Sequence, residues 1–170
     1  MDILFERSTI QKRIAELASQ IAADYQSSPP ICIGILNGAV QFMMDLIAAL
    51  PADLQEELQY DFVDISSYAG LTHSGQISMH KDITLDIGDG DVLVIDGIVD
   101  TGKTLQYLLP LLAAKKPRSI KVCTLLDKSA KRQCQVPIDY CGFAIEDLFI
   151  VGYGMDCDQH YRALPYIAVR

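Results

Sequence analysis

Three short runs in this chain are apolar almost throughout: ICIGIL at 31–36, VLVI at 92–95 and VCTLL at 122–126. Strands buried on both faces have that composition, whereas a sheet with one wet face alternates apolar and polar residues. Helical spacing appears between them. Ile10, Ile14, Leu17 and Ile21 mark an amphipathic helix over 8–25 behind a Ser8 cap, and further helices are expected over 38–49 and 103–114. LQYDFVDIS at 58–66 alternates like a strand, SYAGLTHSGQ at 67–76 reads as a mobile loop, and ISMHKDI at 77–83 as a strand beyond it. Further strands are expected in IDYCGFAI, LFIVGY and YIAV. Strands alternating with helices predict an α/β fold, a mainly parallel sheet flanked by helices. Such sheets bind ligands outside the carboxyl ends of their strands, so the loops after Ile35, Asp96, Leu126 and Tyr153 should gather at one edge.

The chain has 170 residues, enough for one domain over 1–170 and too few for two well-cored ones. No internal repeat, linker or low-complexity tract divides it. A formal charge of −8 opposes broad nucleic-acid binding, which needs a basic face. No apolar run reaches the roughly 18 residues of a membrane span, and the N-terminus lacks a signal-like core, so a cytoplasmic protein without membrane partners is expected. The five cysteines form no C-x-x-C pair, which points to reduced, mostly packed thiols and no zinc site. His73, His80 and His160 share no metal-ligand spacing.

Gly97–Thr104, GIVDTGKT, satisfies the nucleotide P-loop pattern G-x-x-x-x-G-K-[ST]. Two physical features oppose that reading. More than half the chain precedes the motif, leaving too few strand–helix units after it. Its interior also holds β-branched Ile98 and Val99 and the anionic Asp100, where a P-loop needs backbone N–H groups free to wrap an anion. A sugar phosphate suits the residues better. Thr101, Gly102, Lys103 and Thr104 offer N–H groups and hydroxyls to one phosphate monoester at a helix N-terminus. Asp96 can accept from ribose hydroxyls, which leaves Asp100 beside a sugar that gains positive charge.

VLVIDGIVDTGKTL resembles the phosphoribosyl-pyrophosphate (PRPP) motif of phosphoribosyltransferases, most specifically the hypoxanthine(-guanine) enzymes. GILNGAVQFMMDL resembles that family's pyrophosphate loop and following helix, and DFVDISSYAG its catalytic loop. CTLLDK resembles the strand carrying its purine-reading lysine, and LFIVGYGMDCDQHYRALPYI its C-terminal base and metal segment. The resemblance implies a phosphoribosyltransferase-like sheet with a small C-terminal hood, and a transferase joining 6-oxopurine bases to PRPP. It implies Asp100 as general base near the purine N7, and Lys128 as donor to the 6-oxo group. Phe149 would stack on the base and Ile150 would read it through backbone groups. Asp156 would hold Mg²⁺ on the pyrophosphate, with Arg162 neutralising the leaving group. Asn37 and Gly38 would form the pyrophosphate loop, and Ser67 and Tyr68 would sit on a lid. A homodimer or homotetramer is implied as well.

Two positions depart from the family pattern. Asp96-Gly97 stands where a Glu-Asp pair is usual, and Asn37-Gly38 where Lys-Gly is usual. A non-catalytic PRPP or nucleotide sensor on the same fold is therefore a second expectation. The loss of an acid at 97 also leads to the expectation that Gly97→Asp strengthens PRPP handling.

Overall fold

A computed structural model describes residues 1–26, 28–70 and 73–170, excepting the side chains of 67–75. Six strands form the main sheet in the order β4-β3-β2-β5-β6-β7. They are β2 (Ile31–Leu36), β3 (Tyr60–Gly70), β4 (His73–Lys81), β5 (Asp91–Val99), β6 (Ser119–Asp127) and β7 (Tyr140–Ala144). Every pairing from β3 to β7 is parallel, and β4 closes one edge antiparallel to β3. A second, antiparallel sheet joins β1 (Asp2–Phe5), β9 (Ile167–Val169) and β8 (Ile150–Val151). This is the expected hood, but the N-terminal strand contributes to it as well as the C-terminal segment.

Side chains alternate across the main sheet and build two cores. Cys32, Leu93, Ile95, Cys123 and Leu125 face α1 (Arg7–Tyr25) and α2 (Val40–Ala48). Ile33, Val63, Val92, Val94 and Val122 face Leu105, Leu108 and Leu112 of α4 (Lys103–Ala113). A sheet covered on both faces is what the apolar runs required. All five cysteines are free thiols, and burial pushes Cys32 up to about 12.

Several expectations need correction. Residues 67–76 are largely strand rather than loop, because β3 runs to Gly70 and β4 begins at His73. Helix α1 starts one residue early, with Glu6 as N-cap and no side-chain capping bond, so Ser8 caps nothing. Helix α2 starts at Val40, since Asn37–Ala39 turn first. The short helix α3 (Ala52–Glu57) lies in a stretch that carries no periodic signal.

Candidate active site

The carboxyl ends of β2, β5 and β6 meet the turn after β8, and two adjoining cavities open there. The smaller, about 240 Å³, is lined by Asp96, Asp100, Thr101, Gly102 and Thr104 together with apolar residues of β5 and α4. Gly102 caps α4 with φ +87°, a left-handed turn that aims the first amides of the helix at the cavity. The Thr101 hydroxyl accepts from the Lys103 N–H at 3.3 Å. The side chain of Lys103 is exposed and lines a separate surface hollow with Gln106 and Tyr107, so only its backbone belongs to the cradle.

Behind the cradle stands Arg132, which sequence reasoning missed. Its Nε donates to the Asp100 carbonyl at 3.1 Å, and its guanidinium pairs with Asp127 at the end of β6. The N–H groups of Gln133 and Cys134 both donate to the Thr101 carbonyl, at 2.9 and 3.0 Å. The carbonyls of Asp100 and Thr101 are thus satisfied by the segment after β6 and do not compete for the loop's own N–H groups.

The larger cavity, about 450 Å³, gathers Asn37, Gly38, Asp100, Lys128, Phe149, Ile150, Asp156 and Arg162. These are the residues that the family resemblance assigned to base, pyrophosphate and metal, and they come from five separate segments of the chain. The Leu36–Asn37 peptide is cis. Lys128 is only 6 % exposed, and its ammonium lies 3.7 Å from the Asp100 carboxylate and 3.3 Å from Asp147. A buried cation needs such partners. Asp147, the second of them, carries no sequence signal. Phe149 is 56 % exposed and forms part of the rim. Arg162 donates to the Gly154 carbonyl at 2.8 Å and pairs with Asp156 at 3.0 Å. Ser67 and Tyr68 belong to β3 by their backbone, and their side chains lie outside the described residues.

Asp100 borders both cavities. Its Oδ1 is buried and has no hydrogen-bond partner among the described residues. A carboxylate that borders both cavities can take a proton from a ligand that spans them. Asp96 is part-buried deeper in β5, where burial pushes its carboxyl up to about 7, against the opposing pull of the Ile98 and Gly97 amides. Gly97 lies inside β5 rather than in a loop. A P-loop would need the whole segment from Gly97 to wrap the anion, so this geometry removes the P-loop reading.

Comparison with known proteins agrees with this geometry. The phosphoribosyl transferase domain family matches residues 2–158. Hypoxanthine-guanine phosphoribosyltransferase of Bacillus subtilis is 41 % identical over 98 % of this chain and 91 % of its own length. Hypoxanthine-guanine-xanthine phosphoribosyltransferase of Tritrichomonas foetus is 44 % identical over 98 % of this chain and 90 % of its own. A crystal structure of a hypoxanthine-guanine phosphoribosyltransferase from Bacillus anthracis superposes with a TM-score of 0.92 at 38 % identity, covering 100 % of this chain and 98 % of that one. The chain belongs to the phosphoribosyltransferase family. Within it, these three relatives are all enzymes of the hypoxanthine-guanine kind.

Proposed function

We infer that the protein transfers the phosphoribosyl group of PRPP to hypoxanthine, and to guanine, giving IMP or GMP and pyrophosphate. The C1′–oxygen bond to pyrophosphate breaks, a bond from C1′ to the purine nitrogen forms, and the base loses one proton. Asp100 takes that proton from N7. Asp100, which borders both cavities and whose Oδ1 has no hydrogen-bond partner among the described residues, is the observation that carries this reading.

The other roles follow from charge and shape. Amides of Thr101–Thr104 hold the 5′-phosphate, while Asp96 accepts from the ribose. Lys128 leaves its carboxylate partners to donate to the 6-oxo group, which disfavours 6-amino bases. Phe149 stacks on the base and Ile150 meets it through its backbone. Arg162 and the Asn37–Gly38 turn receive the pyrophosphate. Ser67 and Tyr68, near the end of β3, would belong to the segment that covers the site. Water exclusion matters because the ribose passes through an oxocarbenium-like state.

No group of three or more His, Cys, Asp or Glu among the described residues could hold a metal by itself. The donor set fits Mg²⁺ nonetheless, since this ion commonly uses one or two carboxylates and completes its shell with phosphates and water. Asp156 is the carboxylate in the larger cavity, and its Oδ2 already accepts from the Gln159 amide at 2.9 Å, which fixes its orientation. When bound, Mg²⁺ would supply positive charge to the departing pyrophosphate.

A cytoplasmic enzyme that forms homodimers or homotetramers completes the reading. No helix among the described residues is long and apolar enough to cross a membrane, and Val40 and Leu111 are exposed apolar residues on helices. Light scattering after gel filtration tests the assembly.

Incubation with PRPP, Mg²⁺ and single purine bases, read by mass spectrometry, tests the activity. Hypoxanthine should give IMP, and Asp100→Asn should lower kcat by about 10²–10⁴-fold, the usual scale of general base catalysis. PRPP binding without any nucleotide formed would replace the transferase with the sensor.

A further inference from the structure

Three glycines from separate segments, Gly38, Gly97 and Gly154, meet beside the larger cavity, which Gly38 lines. A Cβ placed on Gly97 would stand 2.7 Å from the Gly38 carbonyl oxygen and 3.1 Å from its carbon. One placed on Gly154 would stand 2.3 Å from the same oxygen. Real Cβ atoms do not approach backbone that closely, and neither contact is with a flexible side chain that could swing aside. Gly154 also needs glycine for its φ of +97°, but Gly97 has no left-handed φ. What Gly97 contributes is space.

That space seats the loop after β2. The Ala39 N–H donates to the Ile35 carbonyl at 3.1 Å and the Val40 N–H to the Asn37 carbonyl at 3.3 Å, so residues 36–39 form one tight turn. With its carbonyl lodged between Gly97 and Gly154, Gly38 holds this turn down on β5. The turn after β8 is fixed in the same place, because the Gly154 N–H donates to the Arg162 carbonyl and Arg162 Nη1 to the Gly154 carbonyl. Gly38 and Arg162 therefore share one backbone anchor.

We propose that Gly97 is a positioning residue: by lacking a side chain it seats the Gly38 carbonyl against β5 and so sets where the Asn37–Gly38 turn and Arg162 meet the pyrophosphate. This rests on the transferase reading given above. It reverses the expectation drawn from the sequence, since an acid at 97 displaces the loop before its carboxylate can reach any ligand. The structure brings the two departures from the family pattern together: the loop without a lysine rests on the strand position without an acid.

The test is a kinetic comparison of wild type, Gly97→Ala and Gly97→Asp, with thermal midpoints measured alongside. Gly97→Ala should raise KM for PRPP, and for pyrophosphate in the reverse reaction, by about ten- to hundred-fold, the scale of a misplacement near 1 Å. KM for hypoxanthine should stay within about twofold, because Lys128 and Phe149 stand on segments other than the three that form the seat. Gly97→Asp should do no better than Gly97→Ala. A merely structural role would lower kcat, both KM-dependent efficiencies and the midpoint together. Unchanged KM for PRPP in Gly97→Ala, or an improved one in Gly97→Asp, overturns the proposal. A crystal structure of the wild type with pyrophosphate and Mg²⁺ tests it without any variant. The Gly38 carbonyl should remain between Gly97 and Gly154, and a loop lifted off β5 overturns the seat. If the wild type forms no IMP, the transferase reading fails, while the pyrophosphate-bound structure still decides the seat.

Discussion

Asp96 stands inside β5 with no ion-pair partner among the described residues, and burial holds its carboxyl near 7 against an ordinary 3.8. A carboxyl raised in the folded state favours folding at low pH. Its contribution is intact below about pH 4 and is lost as pH rises through about 7. Asp96→Asn removes that loss, so its advantage over wild type should grow with pH. Between pH 5.5 and 8 the gap in thermal midpoint should widen by about 3 °C, which corresponds to about 1 kcal/mol after discounting for partial exposure. A gap that stays constant or narrows with pH would show that Asp96 is solvated. Residues of this kind were legible in the sequence only as types. Asp96, Asp100, Lys128 and Asp156 could be singled out because each sits in a short segment that resembles one of the family's motifs, although Asp96 proves to lie inside β5 and not at its end. Arg132 and Asp147 could not, because their meaning lies in contacts: Arg132 faces the back of a loop 32 residues away, and Asp147 acts as a shared partner of Lys128 and Lys131.

The turn Thr101–Thr104 is shaped as much by the segment behind it as by its own residues. The 3-10 turn Ser129–Lys131 directs Arg132, Gln133 and Cys134 onto the carbonyls of Asp100 and Thr101. Arg132→Met removes a charge-assisted bond worth about 1.5–3 kcal/mol and leaves Asp127 unpaired. KM for PRPP should rise about tenfold with hypoxanthine KM nearly unchanged, and Arg132→Lys should restore only part, since one ammonium replaces a planar fork about as poorly here as elsewhere. An unaltered KM for PRPP in Arg132→Met would show that the loop holds its own shape. At this scale the sequence was readable where packing dominates. Strand β6 spans Ser119–Asp127 as its apolar run indicates, and β5 was found but read too short, because Gly97 suggests a loop where the strand continues. Strand β1 and helix α3 escaped notice: four and six residues are too few to display a period. The Ser- and Gly-rich stretch that ends β3 and opens β4 misled for the opposite reason, since pairing of the two strands supplies the order that its composition lacks.

The hood and the main sheet share one core. Ile150, Tyr153, Met155 and Ile167 pack in the same cluster as Ile14 of α1, Phe42 of α2 and Ile95 of β5. The Tyr153 hydroxyl donates to Asp45 on α2, which ties the turn bearing Asp156 to the helix that follows Asn37–Gly38. Phosphate, base and pyrophosphate groups would therefore bind elements that cannot separate without opening this core. A ligand spanning both cavities should then stabilise the molecule as a unit, not one sheet alone. IMP at a hundred times its Kd is expected to add about 2.7 kcal/mol and to raise the thermal midpoint by about 5–11 °C, in a single transition. Asp100→Asn should keep most of this gain, because the cradle amides and Lys128 still hold the nucleotide while only the proton acceptor is lost. Two transitions on calorimetry, with IMP moving only one, would mean that the hood folds apart from the sheet. The shared cluster would then be a contact between separate units rather than a common core.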